Sequence, residues 1–559
     1  MKKDIITLKW VYLQTKRFLF HLIILSLLGI MLSVLGVTFA LASKNVLDAA
    51  TTKNVANIVK PVIYLAVLIG LQLVFQIALS KLNIIVSGKL TMSMRSNIFK
   101  ELLYKSYSHA SKFHSGELIN RINSDVQVIT SGIVGMLPNT ISLFTRIIFS
   151  FWALIVLDKA FAFICLVIGI IVLPISQIYR KRMKSLYKIC QESDGKVRSF
   201  MQECIQSLLV IKSFNNEQLM VSHSDILQNN NYLHNVKRNN ISIIANILFY
   251  IAVTIGFYFA LAWGAYKLSI GLISFGTLTA MLQLVGQIQV PFRGLSSVIP
   301  QYYSVIASAE RVIEIMELPN ELSHNAKEFE CKSLYHDMEE IVLENVSFSY
   351  DGAKVLCDTN LTIKKNDFIV ISGSSGIGKS TFLKLLLGII TPTKGNIFIR
   401  LKTGEKINLD KNTRKLFAYV PQGNMILSGT IRENICFSDE AVNENALIAS
   451  AQIAQIWGFI QSLPNKLDTV LGEKGLGLSE GEIQRIAIAR AIYHNSPIIL
   501  LDEATSAIDE RTEAELLAAI KKLKDITCVA VSHKKAAFEI CQKAAKIEKG
   551  KFKFLDVRK

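Results

Sequence analysis

The sequence predicts a helical membrane domain with six transmembrane helices, followed by an α/β domain built around a phosphate-binding loop. All long apolar runs lie before residue 305, and mean hydropathy is +0.36, too high for a wholly soluble chain of 559 residues. In the second half, the pattern G-x-x-x-x-G-K-S follows a strand-like run and opens an apolar helix. We expect a membrane domain over 1–318, a polar linker over 319–340 and a soluble domain over 341–559.

The membrane domain is predicted from six apolar runs, each long enough, or nearly so, to cross about 30 Å of hydrocarbon as a helix. They lie at about 18–43, 61–80, 133–157, 160–178, 241–266 and 277–300. A cleavable signal peptide is a competing interpretation of the first run, because two lysines precede it. That run is too long for a signal core and five more follow, so we expect a first span.

The loops between these runs differ in charge. The chain has 62 basic and 44 acidic residues, a surplus that would also suit nucleic-acid binding. The basic residues concentrate in segments 81–132 and 179–240, whereas the alternate loops hold few. This asymmetry predicts a multi-pass protein of the cytoplasmic membrane with both termini in the cytoplasm, and no nucleic-acid partner.

The two basic segments are predicted to be long cytoplasmic excursions. Helical sequence would carry each of them well below the membrane, since a helix rises 1.5 Å per residue. Short elements near 108–120 and 205–222 would then meet another cytoplasmic domain. The alternative is a pair of solvated basic helices.

Polar residues within the spans are candidates for a substrate pathway, since such residues are rare in hydrocarbon. The alternative is that they form interhelical hydrogen bonds or snorkel to the membrane surface. The candidates are Arg146, Gln72, Gln76, Gln283, Gln287 and Arg293.

The phosphate-binding loop follows the strand-like run Phe368–Ile371 and leads into a helix expected to extend to Thr391-Pro392. Its glycines let the backbone wrap a polyphosphate, and amides at the helix start point toward the phosphates. Lys379 would reach the terminal phosphates, and the Ser380 hydroxyl would ligate Mg²⁺. The loop residues assigned to nucleotide binding are Gly373, Ser374, Ser375, Gly376, Ile377, Gly378, Lys379, Ser380 and Thr381.

Three further predicted strands, 416–420, 498–501 and 527–531, end in polar residues. In a parallel sheet these carboxyl ends converge on the crevice beside the phosphate loop. Asp502 would hold Mg²⁺, directly or through water, and Glu503 would accept a proton from the attacking water. Gln422 and His533 would sense the γ-phosphate.

On these residues the second half resembles the nucleotide-binding domain of ATP-binding cassette (ABC) transporters. With six spans ahead of one such domain, the whole chain resembles a bacterial half-transporter of the exporter type. The resemblance matches Tyr350 to the aromatic residue that stacks on adenine, 373–381 to Walker A, Gln422 to the Q-loop, Asp502 and Glu503 to Walker B, 506–509 to the D-loop and His533 to the H-loop. In the membrane half, Gly116–Asp125 and Lys212–Glu217 resemble the exporter coupling regions.

The family signature, L-S-G-G-Q, is altered to Leu478-Ser479-Glu480-Gly481-Glu482. Ser479 and Gly481 are retained and join the predicted ATP-binding residues. Two carboxylates near a phosphate would repel it and weaken the site, which would favour a heterodimer. The same residues also fit a capping box, S-x-x-E, in which one carboxylate serves its own helix. Both interpretations stay open at this point.

The resemblance implies ATP and Mg²⁺ as ligands, with Ser380, Gln422 and Asp502 at the metal and Glu503, His533 and Gln422 in catalysis. It also implies a dimer with a second half-transporter, contact with membrane lipid, and ATP-driven export or lipid flipping of an unknown substrate. A siderophore-type importer with exporter architecture and an ATP-gated, non-pumping regulator are alternatives. The short outer loops disfavour the first alternative, and retention of the catalytic residues disfavours the second.

Overall fold

The structure is a computed structural model. It describes the backbone of residues 2–51, 55–321, 330–350, 352–423, 426–437, 441–472 and 477–555. Within these ranges it does not describe the side chains of 2–4, 55–56, 165–182, 184, 187–188, 245–246, 249, 292–297 and 299–300. The chain divides into two compact units, Met1–Phe99 with Gly116–Glu314 and Lys100–Ser115 with Ile315–Lys559.

Helices make up the first part of the chain. They are α1 (Lys2–Thr15), α2 (Leu19–Thr51), α3 (Val55–Leu103), α4 (Tyr107–Ala110), α5 (Ser115–Asn120), α6 (Val126–Leu157), α7 (Lys159–Gln206), α8 (Leu208–Ser213), α9 (Glu217–Ser269) and α10 (Phe275–Met316). Helices of the described residues that are long and apolar enough to cross a membrane contain the predicted spans 18–43, 61–80 and 133–157 and most of 241–266. The remaining two runs, 160–178 and 277–300, lie on α7 and α10, where many side chains are outside the described residues.

The first unit packs its apolar helices around small residues. Ser33 on α2 meets Ser142 on α6, with 2.8 Å between the two hydroxyl oxygens. Farther along the same helices, a buried cluster joins α2, α6, α7, α9 and α10 through residues such as Val37, Leu154 and Met281. Small side chains at the contact let helix backbones approach closely, as is usual between membrane helices.

Buried charges anchor the start of α6. A five-residue π-helix begins at Arg121 and ends at Asp125, directly ahead of α6. Arg121 pairs with Glu117 at 2.6 Å and with Glu314 on α10 at 2.7 Å, and Asp125 accepts from Arg311 Nε at 2.8 Å. These ion pairs hold the first coupling region against α10.

The second unit contains the α/β domain. Its helices are α11 (Cys331–Asp337), α12 (Lys379–Leu386), α13 (Ile431–Cys436), α14 (Glu444–Ile453), α15 (Trp457–Ser462), α16 (Glu480–Tyr493), α17 (Glu510–Lys521) and α18 (Lys535–Ile540). Its strands are β1 (Met338–Tyr350), β2 (Ala353–Lys364), β3 (Phe368–Ser372), β4 (Lys394–Leu401), β5 (Lys406–Asn408), β6 (Phe417–Val420), β7 (Gly429–Thr430), β8 (Val470–Leu471), β9 (Ile498–Asp502), β10 (Thr527–Val531), β11 (Lys543–Glu548) and β12 (Lys551–Leu555).

Two main sheets form in this unit. An antiparallel sheet has the order β2-β1-β4-β5, and a second sheet has the order β12-β11-β3-β10-β9-β6. In the second sheet all neighbours are parallel except the edge pair β11–β12. Every residue of β3, β9 and β10 is buried, as expected for parallel strands covered on both faces.

The register of the parallel strands brings their carboxyl ends to one edge. Val531 of β10 pairs with Ile371 of β3 on one side and with Asp502 of β9 on the other. Val420 of β6 pairs with Leu501. The predicted convergence of these strand ends beside the phosphate loop is therefore confirmed.

The helix after the phosphate loop is shorter than predicted. We expected it to extend to Thr391-Pro392, but α12 ends at Leu386. Gly388 adopts φ +62, a left-handed conformation that stops the helix, and the Ile389 amide closes the turn on Lys384 O at 3.1 Å. The predicted end was wrong because the stop signal is this glycine.

Residues 100–115, called the docked segment below, belong to the second unit. The Ser106 amide donates to Pro319 O at 2.9 Å, and Lys105 Nζ donates to Met316 O at 2.7 Å. The linker residue Glu321 is in turn ion-paired with Arg414 of the α/β domain. Of the short element predicted near 108–120, the residues up to 115 therefore belong to the unit that contains the α/β domain, whereas 116–120 belong to the first unit.

The fold generates a matched prediction at two glycines with left-handed backbone. Gly395 has φ +81, and a Cβ there would lie 2.3 Å from Asn345 O; Gly404 has φ +85 and open space around it. Alanine at either position is strained by about 1–2 kcal/mol, and only Gly395→Ala adds the backbone clash. Denaturant unfolding of the purified full chain should therefore show a clearly larger decrease in the free energy of unfolding for Gly395→Ala than for Gly404→Ala. Equal losses would contradict the close approach of these strands.

Candidate active site

Lys379 lies at the centre of the phosphate-binding loop. The loop backbone turns through left-handed conformations at Gly373, Gly376 and Gly378, and α12 begins at Lys379 itself. The buried ammonium donates to Gly373 O at 2.8 Å and lies 3.0 Å from Glu503 Oε1 and 2.6 Å from His533 Nε2. A cation is thus held where the loop, β9 and β10 end.

Glu503 sits just past β9 with φ +51, a conformation that residues other than glycine seldom adopt. Its amide donates to Val531 O at 3.1 Å, which turns the residue out of the strand. Gln422 Nε2 donates to Glu503 Oε2 at 2.8 Å. The structure therefore brings together Lys379, Gln422, Glu503 and His533, four of the residues predicted from separate motifs.

Asp502 is the buried neighbour of this group. Burial raises the pKa of its carboxyl, and the hydroxyls of Ser380 and Tyr419 oppose that increase. Tyr419 donates to Oδ2 at 3.0 Å, whereas the buried Oδ1 has no hydrogen-bond partner among the described residues. An orphaned carboxylate oxygen beside a serine hydroxyl is a donor set that fits Mg²⁺, which prefers hard oxygen ligands.

The remaining loop residues differ in exposure. Ser374, Ser375 and Gly376 are exposed, while Thr381 lies in the first turn of α12 and is buried. Tyr350, at the end of β1, is 43% exposed and packs edge-on against Phe348 with 4.8 Å between ring centroids. An exposed ring is free to stack on a base, and its adenine contact stays a prediction.

The altered signature forms the predicted capping box, which is confirmed. Ser479 is the N-cap of α16, the Glu482 amide points to its hydroxyl, and the Glu482 carboxylate accepts from the Ser479 amide at 2.7 Å. One of the two substituted carboxylates is thus engaged with its own helix terminus. Glu480 is exposed in the first turn of α16.

The signature helix is tied to the D-loop. A Cβ at Gly481 would lie 2.8 Å from Ala507 O, so this position has no room for a larger residue. Gln484 Nε2 donates to Ser506 Oγ at 2.8 Å, and Gln484 Oε1 accepts from the Ala507 amide at 3.0 Å. Movement of the D-loop would therefore move the start of α16.

Sequence reasoning missed Gln484, Tyr419 and Lys534. Lys534 Nζ donates to Thr505 O at 2.8 Å and lies 3.3 Å from the buried carboxylate of Glu513, so it ties the H-loop to the D-loop. The available signal was adjacency to known motifs. Lys534 follows His533 directly, and Tyr419 lies three residues before Gln422.

The polar residues predicted to line a substrate pathway are dispersed. Arg146 and Gln72 are half-buried, Gln76 and Gln283 are exposed, and the side chain of Arg293 lies outside the described residues. Gln287 Nε2 donates to Gly36 O on α2 at 2.7 Å, which is the interhelical alternative. Their roles toward a substrate stay predictions.

The fold and site define an ATPase domain joined to a helical membrane domain. Two family models match the chain, the ABC transporter transmembrane region over residues 19–292 and the ABC transporter domain over residues 356–506. The chain belongs to the ABC transporter family.

Relatives of similar length match along most of the chain. An ATP-dependent lipid A-core flippase of Haemophilus influenzae is 29% identical over 484 residues, which cover 84% of this chain and 80% of the relative. A probable ABC transporter ATP-binding/permease protein of the same species is 28% identical over 537 residues, or 94% of each chain. A solved bacterial Atm1-family ABC exporter with ATP bound has the same fold, with a TM-score of 0.78 at 24% identity over 96% of this chain and 94% of that chain.

The chain is therefore a multi-pass membrane protein that binds ATP and couples ATP hydrolysis to transport. It is a half-transporter of the exporter type, an architecture that implies a dimer.

Opposite pKa shifts generate opposite stability predictions at two aspartates. Burial raises the pKa of Asp502, so its charge opposes folding at pH 7 and less so as pH falls toward that pKa. Hydrogen bonds from Thr512 lower the pKa of Asp509, so its charge favours folding above the unfolded pKa, and this stability is lost as pH falls. At pH 7 without nucleotide, Asp502→Asn should raise the thermal midpoint of the full chain and Asp509→Asn should lower it. A fall with Asp502→Asn would contradict the burial argument.

Proposed function

We propose that this chain exports or flips an amphiphilic substrate by alternating access, as one half of a dimer with two ATP molecules at its interface. The observation that carries the proposal is the convergence of Lys379, Gln422, Glu503 and His533 at the end of the phosphate loop. These are the residue types that position a polyphosphate and an attacking water. The relatives named as lipid A-core flippases support a lipid-like substrate.

Each side chain has a role in this proposal. Lys379 exchanges its contact with Glu503 for the terminal phosphates. This exchange releases Glu503 Oε1 to accept a proton from the attacking water, while Gln422 holds Oε2 in place. Ser380, Asp502 and Gln422 would hold Mg²⁺, which neutralises charge on the phosphate oxygens when bound. His533 would donate to the γ-phosphate.

The dimer follows from the family arrangement, in which the signature of one chain faces the phosphate loop of another. Ser479 and Gly481 would serve that role. The capping box favours a working signature, and hence a homodimer, because the Glu482 carboxylate is held by the Ser479 amide. A heterodimer is the other outcome and is favoured only by the exposed charge of Glu480.

Coupling to the membrane would use two short elements. One is the docked segment, already held on the second unit by the linker. The other is α8, where Leu209 is 83% exposed and Phe214, directly after the helix, is 70% exposed. Such neighbouring exposed apolar residues suit contact with the nucleotide-binding domain of a second copy, because contiguous apolar patches mark interaction sites. Both termini would lie in the cytoplasm.

The substrate class is proposed as an anionic amphiphile. Arg146 is a half-buried cation on the apolar helix α6 and would meet an acidic headgroup. Reconstitution of the lone chain in liposomes tests this proposal. ATPase stimulation and ATP-dependent movement of an anionic lipid across the bilayer would support it, with no response in Arg146→Gln. Stimulation only by siderophores with inward movement would instead identify an importer.

Replacing the catalytic base gives the sharpest functional prediction. Glu503→Gln keeps the hydrogen bond with Gln422 but cannot accept a proton, so ATP turnover should fall by about 100-fold or more. ATP binding should persist. Turnover of radiolabelled ATP and equilibrium binding by the purified variant check this. A Glu340→Gln control changes a buried glutamate of β1 that pairs with Arg400 in the antiparallel sheet, and it should retain turnover. Unchanged turnover and transport in Glu503→Gln would refute the assignment.

A further inference from the structure

A tyrosine outside the family motifs contacts the carboxylate proposed to bind the metal. Tyr419 lies near the end of β6 and donates its hydroxyl to Asp502 Oδ2 at 3.0 Å. The same carboxylate has its other oxygen, Oδ1, buried without a hydrogen-bond partner in the described part of the chain. The hydrogen bond therefore sets which oxygen remains for a ligand.

The contact joins a side-chain donor to a side-chain acceptor. The Tyr419 phenol supplies one O–H donor, and the Asp502 carboxylate accepts it through Oδ2. This single bond restrains the rotation of the carboxylate and leaves Oδ1 as the oxygen available to a cation.

The docked segment lies at the other end of this contact. Tyr107 of that segment lies against α12, the helix whose first turn carries Ser380. Lys384 on α12 places its ammonium 5.4 Å from the centre of the Tyr107 ring, within cation–π range, and also acts electrostatically on Asp502. A second lysine, Lys411, lies 4.6 Å from the ring centre of Tyr104. The docked segment is therefore packed beside the groups that surround the Asp502 carboxylate.

We propose that Tyr419 is a positioning residue that orients Asp502 for the divalent cation, and that Tyr107 and Lys384 make this orientation sensitive to the docked segment. The proposal rests on the metal role of Asp502 given above. These residues connect the docked segment to the metal site by a route that does not involve Gln422. Movement of the docked segment would alter the metal site, and occupation of the metal site would restrain the segment.

A purely structural role is the competing explanation, because a buried hydroxyl needs a partner. Tyr335 offers a matched control in the same unit. Its hydroxyl contacts Asn366 Oδ1 at 3.0 Å and Thr527 Oγ1 at 2.9 Å, at the opposite end of β10 from Asp502. Tyr419→Phe and Tyr335→Phe each remove one buried phenol oxygen, and only the first borders the metal site.

The test measures Mn²⁺ binding to the full chain by electron paramagnetic resonance, in the presence of a non-hydrolysable ATP analogue. Loss of an outer partner of a metal ligand typically weakens metal affinity by about 10-fold or more. Tyr419→Phe should show this weakening, and Tyr335→Phe should bind Mn²⁺ as the unmodified chain does. Equal Mn²⁺ affinities for the two variants would overturn the proposal.

Asp502→Asn separates failure of this inference from failure of the metal assignment. If Asp502→Asn leaves Mn²⁺ affinity unchanged, the metal role itself is wrong. If Asp502→Asn weakens binding but Tyr419→Phe does not, only the positioning role is wrong.

A double-mutant cycle tests the link to the docked segment. Tyr107→Ala should weaken Mn²⁺ binding. When Tyr107→Ala is combined with Tyr419→Phe, the loss of binding free energy should be smaller than the sum of the two single losses, because both changes act on the Asp502 carboxylate. Additive losses, or no effect of Tyr107→Ala, would overturn this link.

Discussion

The register of four parallel strands is the constraint on which the site depends. In the order β3, β10, β9 and β6, neighbouring strands end within one residue of each other, so the residues that follow them lie at one edge of the sheet. β3, β9 and β10 are buried on both faces, and a shift by one residue would turn every side chain of the shifted strand to the opposite face. Packing of the core therefore holds the phosphate loop beside the two carboxylates.

Burial strengthens the electrostatic interactions of these side chains and makes each of them depend on a partner. Lys379 is buried and contacts Glu503, while Asp502 is buried and depends on hydroxyl donors. Removing one member of a buried charged set leaves the others unpaired, which is strongly unfavourable. A bound polyphosphate can therefore rearrange the whole group, because it supplies new partners for Lys379. Hydrogen bonds from Lys534 and Gln484 to the D-loop region connect these side chains with the signature helix.

Much of this architecture was predictable because it depends on local patterns. The buried runs of β3 and β10 and the capping box at Ser479 depend on residues close in sequence, and the structure places them as expected. The end of α12 was missed because Gly388, not the later proline, stops the helix. Tyr419 was missed because its partner Asp502 lies 83 residues away, and no local pattern indicates that contact.

The central claim is that two copies close on ATP, with the phosphate loop of one chain against the signature of the other. Cysteine cross-linking tests it most directly, in a background whose eight native cysteines are replaced. Copies carrying Ser375→Cys and copies carrying Ser479→Cys, both at exposed loop positions, would be mixed in one membrane and treated with a short bifunctional thiol reagent. Closure on ATP should give a cross-linked pair that contains one copy of each variant, and the yield of that pair should increase with ATP. A chain that hydrolyses ATP but gives no such pair would contradict it.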